Sequence, residues 1–141
     1  MARTQITAIT ALARDTVVSQ AAVQTAVTTG NYISGGTQDI SKIYLQVQWG
    51  TTAGTVTVRA PGNGVNVAGA AQTSPYPSSA VFALGAQGDL AYSGGTVGGP
   101  AWIGPLSSDR FTQPDGNLYI DWSTASGPVQ FNVIQAPWVV V

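Results

Sequence analysis

Apolar and polar positions alternate with a period of two along most of this chain, and short apolar segments end at glycine and proline. The clearest run is KIYLQVQW, which sets Ile43, Leu45, Val47 and Trp49 on one face and Tyr44, Gln46 and Gln48 on the other. TVTVRA follows after GTTAG, with Val56 and Val58 alternating against Thr55, Thr57 and Arg59. The two runs read as a hairpin. APGNG then predicts a turn and VNVAG a short strand, while the prolines of TSPYPSS (73–79) make that stretch a loop. AVFAL and DLAYS read as strands around GAQG, and GGTVGGP as a flexible connection. The last strand is VQFNVIQA, with Val129, Phe131 and Val133 inward.

Thr10 to Thr29 is the ambiguous part. Its alanines tolerate a helix, but no stripe of period 3.6 is sustained and no lysine or glutamate marks a polar face. A strand around Thr16–Ser19 followed by irregular chain is the expectation. No internal repeat is visible. Short strands at roughly ten-residue spacing, separated by turn signals, predict an all-β fold. The expected form is a single small antiparallel β-sandwich or barrel, jelly-roll-like, over 1–141. Residues 1–10 would be an N-terminal arm or edge strand, and 136–141 a C-terminal arm.

Composition narrows the chemistry. The chain has 141 residues, enough for one domain with its own core, and no cysteine. Histidine and glutamate are also absent, so the usual general base, thiol nucleophile and imidazole ligand are missing. Charged residues make up 8% of the chain and the net charge is −1, which gives no footprint for nucleic acid or an anionic membrane. The N-terminus MARTQITAIT lacks a long apolar core, and synthesis and retention in the cytosol are expected. So sparse a set of charges fits either a neutral Thr/Ser/Gln surface or a surface that faces other protein.

Candidate sites fail one after another. SGGTVGGP lacks the lysine of a phosphate-binding loop and runs into Pro100. Asp109, Asp115 and Asp121 are spaced six residues apart, too far for a calcium loop. Asp121 is followed by Trp122 rather than by the Thr/Ser-Gly of an aspartic protease, and Ser107 and Ser108 have no base in sequence. Trp49, Trp102 and Trp122 could stack on sugars, but they fit the inward face of alternating strands better. No catalytic residue, cofactor or metal is therefore expected.

The densest window is WIGPLSSDRFTQPDGNLYIDW, Trp102 to Trp122. QPDGN between two apolar runs signals a hairpin turn. An even loop pairs Gln113 with Leu118 and Arg110 with Asp121, and places Phe111, Leu118, Ile120 and Trp122 on a buried face, with Thr112 and Tyr119 opposite. A three-residue loop with Gly116 in a bulge suits the PDG chemistry but shifts the register by one and sets Arg110 against Ile120. The even register is the expectation, with Arg110, Phe111, Asp115, Gly116, Ile120, Asp121 and Trp122 as the structural hairpin.

The run IGPLSSDRFTQPDGNLYIDWS resembles a segment of small head decoration (capsid cement) proteins of tailed bacteriophages, particularly those of actinobacterial phages. GTVTVRAPGNG, GDLAYSGGT and the opening MARTQITAIT look like the matching earlier pieces in the same order. The motifs that carry the likeness are Gly104-Pro105-Leu106, Arg110-Phe111, Gln113, Asp115-Gly116 and Leu118 to Asp121. Trp122 departs from the usual phenylalanine and Ser107 from a common acidic residue, while AAQTSPYPSS and the tail APWVVV are individual to this chain. The resemblance implies a non-enzymatic virion protein on the capsid surface, made in the host cytoplasm. It would bind the major capsid protein, often as a trimer, and stabilise the expanded shell; no nucleic acid or membrane is involved. Other phage structural modules (tail or head fibre) and a carbohydrate-binding β-sandwich are the alternatives. The terminal residues are the expected partner interface: Arg3, Thr4, Gln5 and Ile6 as a strand-adding arm, and Pro137, Trp138, Val139, Val140 and Val141 as an apolar tail.

Overall fold

In the computed structural model, residues 2–19, 23–36, 38–62, 64–72, 88–94, 98–124 and 130–137 are described. The alternating segments among them become ten strands in two packed sheets, with almost no helix. In chain order these are β1 (Thr4–Gln5), β2 (Ile9–Ala11), β3 (Gln24–Thr25), β4 (Asn31–Ile33) and β5 (Ile43–Trp49). Then come β6 (Thr55–Val58), β7 (Leu90–Ser93), β8 (Gly98–Ile103), β9 (Leu118–Trp122) and β10 (Gln130–Gln135). The first sheet has the order β1-β4-β9-β6-β7 and the second β2-β10-β5-β8, with β3 also on β10. The pairs β1–β4 and β2–β10 are parallel, so the expected antiparallel fold is a mixed one, and the molecule is a sandwich rather than a closed barrel.

Alternation places the core. Ile43, Leu45, Val47 and Trp49 of β5, with Phe131 and Val133 of β10, are buried against Val56, Val58, Leu118, Ile120 and Trp122 of the first sheet. Trp122 anchors this interior. Its ring lies 4.9 Å from Phe131 and meets Trp49 edge-on at 6.4 Å, and its Nε1 donates to Asn31 Oδ1 at 2.9 Å. Asn31 is buried, and that bond removes the cost of hiding the indole N–H.

Several expectations are corrected. β5 and β6 are not a hairpin: β5 pairs with β8 and β10, β6 with β7 and β9, so residues 50–54 turn a corner between sheets. Their apolar faces oppose each other across the core instead of lying side by side. No strand forms at Thr16–Ser19. Arg14 and Asp15 make a turn in which Asp15 takes φ 56°, and the strands fall on either side, at β2 and β3 along β10. VNVAG contributes an isolated bridge, Val65 to Ala71, and GGP of the supposed flexible connection begins β8. AVFAL, TSPYPSS and Val129 lie outside the described residues.

The PDG hairpin keeps its turn and loses an arm. Gly116 N donates to Gln113 O, and Gln113 N to Asn117 O, both at 2.8 Å, with Gly116 at φ 85°, a conformation that favours glycine. The single bridge is Thr112 to Leu118, the register of the three-residue loop rather than the even one. Before it, Ser108–Phe111 forms one helical turn (α1), closed by Thr112 N to Ser108 O at 3.0 Å. Arg110 therefore does not face Asp121. Phe111 still reaches the core, joining Leu118, Ile120 and Trp122 as expected. Tyr119, expected on the face opposite the buried one, is itself fully buried because the N-terminal segment covers it.

The N-terminal arm is part of the fold. β1 lies in the first sheet and β2 in the second, and Arg3 and Ile6 are buried. Thr4, Gln5 and Pro137 are exposed, while Trp138 to Val141 fall outside the described residues.

Candidate functional site

Asp121 sits on β9 between the inward Ile120 and Trp122, so its carboxylate projects from the outer face of the first sheet. Oδ1 accepts from Arg3 Nη1 and Oδ2 from Arg59 Nε. Arg59, one residue past β6, continues to Asp89 Oδ2 at 2.8 Å. Asp89 is fully buried, and its Oδ1 accepts from Ala60 N at 2.6 Å. From the other side, Arg110 Nε donates to Gly88 O at 2.8 Å and Nη2 to Asp89 O at 3.1 Å. Three arginines and two aspartates thus bind the N-terminal segment, β9, the end of β6, the start of β7 and α1.

Arg3 carries most of the closure. Its side chain is 0% exposed. Nε donates to Val65 O at 2.9 Å and Nη1 also approaches Ile120 O at 3.3 Å, while the guanidinium lies 4.4 Å from the Tyr119 ring centre. Nη2 is buried with no hydrogen-bond partner. The fit requires glycine at position 30: a Cβ there would stand 2.3 Å from Arg3 Nη1 and 2.6 Å from Asp121 Oδ1.

Electrostatics agrees with a structural arrangement. Burial disfavours the charge on Arg59, but hydrogen bonds and attraction from Asp121 and Asp89 outweigh it and raise its pKa. Tyr119 is pushed up to about 12, first by burial and then by the Asp115 carboxylate that accepts from its hydroxyl. A shallow cleft of about 510 Å³ opens beside the pair, lined in part by Thr28, Thr29, Gly64, Arg59 and Asp121. Both oxygens of Asp121 are already held by guanidinium groups, so the cleft offers threonine hydroxyls beside a neutralised ion pair. Among the described residues no group of three or more acidic, histidine or cysteine side chains could hold a metal, and no helix is long and apolar enough to cross a membrane.

The charges expected to pair across the hairpin instead have separate partners, and sequence spacing carries no trace of this. Arg3 and Asp121 are 118 residues apart and Arg59 and Asp121 are 62 apart.

The outer face of the second sheet was also missed. Trp102, expected in the core, is 59% exposed on β8. It lies directly across from Gln46 of β5, which in turn lies across from Asn132 of β10. Asn132 Nδ2 donates to Gln46 Oε1 at 3.2 Å. Gln48 opposite Gln130 forms the next row, and Tyr44 opposite Ile134 flanks the first. The polar half of KIYLQVQW was the available signal, since residues cross-strand from it must share its face.

Comparison with protein-family models, with curated proteins and with solved structures finds no match to this chain.

Proposed function

We propose that this chain is a capsid decoration protein, a non-enzymatic sandwich that seats on the outer surface of a phage shell and stabilises it. Its partner is the major capsid protein, its site of action the virion, and its working form a homotrimer. The observation that carries the reading is the use made of the segment with the family resemblance. Leu106, Phe111, Gln113 and Leu118 to Ile120 are all buried, and Arg110 and Asp121 belong to the closing network. A motif devoted to architecture suits a protein whose task is mechanical.

The placement of charge supports the same reading. Of five basic and six acidic side chains, Arg3, Arg59, Arg110, Asp89 and Asp121 are held in one network, Asp115 receives the Tyr119 hydroxyl, and Lys42 pairs with Asp39 at 3.4 Å. What is left for contact is a sparsely charged surface with exposed Leu12, Val17, Val23 and Tyr92. Depletion of charge and enrichment of aromatic residues mark the cores of protein interfaces.

Adding the purified chain to undecorated, expanded capsids of the phage that encodes it tests the proposal. Saturable binding at a fixed copy number, with greater heat resistance of the shell, is the expected result. Failure to bind both expanded capsids and procapsids would overturn it.

A further inference from the structure

The outer face of the second sheet has a chemistry that capsid binding does not require. The described side chains that the ladder places there at β5, β8 and the first part of β10 are Tyr44, Gln46, Gln48, Trp102, Gln130 and Asn132, and none is charged. Four are amides, each with both donors and acceptors. The six lie on a central strand and the two strands paired with it, with a register shift between Val47 and Trp49, and the Gln46–Asn132 hydrogen bond orients two of them.

We propose that this face is a binding site for a neutral glycan, with Trp102 as the stacking platform. A sugar ring has an apolar face formed by C–H groups and a rim of hydroxyls that both donate and accept. An exposed indole satisfies the first and a row of amides the second. The row Trp102–Gln46–Asn132 crosses two strand spacings, about 10 Å, enough for two sugar residues. The absence of charge selects against phosphorylated or carboxylated sugars, whose anions would find no cation on this face. Trp102 stands on an edge strand with its ring exposed, where a ligand can reach it. The proposal is independent of capsid attachment.

The test uses the full chain and three neutral polysaccharides, a glucan, a galactan and a mannan, in affinity gel electrophoresis with tryptophan emission as a second readout. Retardation by at least one polysaccharide and a change in emission are expected. Trp102→Ala should weaken the retardation about tenfold and Trp102→Phe should retain most of it. Gln46→Ala with Asn132→Ala, made separately in the wild-type background, should weaken it too and stands in if Trp102→Ala does not fold. Retardation by none of the three, or retardation unchanged in all these variants, would overturn the proposal. So would a loss of capsid binding in Trp102→Ala without any glycan effect, which would make the face a protein interface.

Discussion

Asp121 holds two guanidinium groups, Arg3 with its side chain fully buried and Arg59 partly so, while Arg110 is bound to the main chain at Gly88 and Asp89. A double-mutant cycle separates these partners. Coupling between Arg3 and Asp121 should exceed about 1 kcal/mol, and that between Arg110 and Asp121 should stay below about 0.5 kcal/mol. The reverse order would mean that the ion pair crosses the hairpin after all. Arg3→Lys should not restore stability, because one ammonium cannot reproduce the spread of bonds to Val65, Ile120 and Asp121. Tyr119 gives a second test. Its pKa is raised to about 12 in the folded state, so its contribution is complete below the ordinary tyrosine range near 10 and is lost as pH rises through about 12. Spectroscopic titration should show a late phenol that disappears in Tyr119→Phe; a titration curve left unchanged by that substitution would contradict it. At this scale the sequence was poorly legible, because every partner of Asp121 is brought by the fold and none by spacing.

At the scale of elements, period two was a reliable guide to β5, β6, β9 and β10, because a half-buried strand must alternate, and it named the buried residues of β5 and β6 but missed the burial of Tyr119 on β9 and Ile134 on β10. Pairing was not legible. β5 and β6 join different sheets since their apolar faces meet across the core, and the valines at 17 and 18 form no strand because β10 is already lined by β2 and β3. Register at PDG followed turn chemistry, which favours the three-residue loop, over facial alternation, because α1 delivers Phe111 to the core by another route. Trp102 and Trp122 test the assignment of faces. Trp122→Ala should cost about 3–5 kcal/mol in denaturant unfolding and Trp102→Ala less than about 1 kcal/mol. Equal costs would return Trp102 to the core. Gln113 donates to Arg59 O and Ala60 O and accepts from Gly62 N, so Gln113→Ala should cost on the order of 2–4 kcal/mol by leaving these groups unpaired.

Over the whole molecule, the all-β class and the sandwich were legible from short alternating strands and turn residues. The parallel placement of β1 and β2 was not, since nothing in TQITAIT distinguishes a free arm from an edge strand closed by Arg3. The fold draws five of its eleven charged side chains together on one face of the first sheet, and an attachment made by the apolar side chains exposed elsewhere should be indifferent to ionic strength. Cosedimentation of the chain with expanded capsids, from low salt up to about 1 M, where the Debye length falls to about 3 Å, tests this directly. A constant number of bound copies across the range is predicted. No bound copies, or copies that wash off as salt rises, would contradict the account.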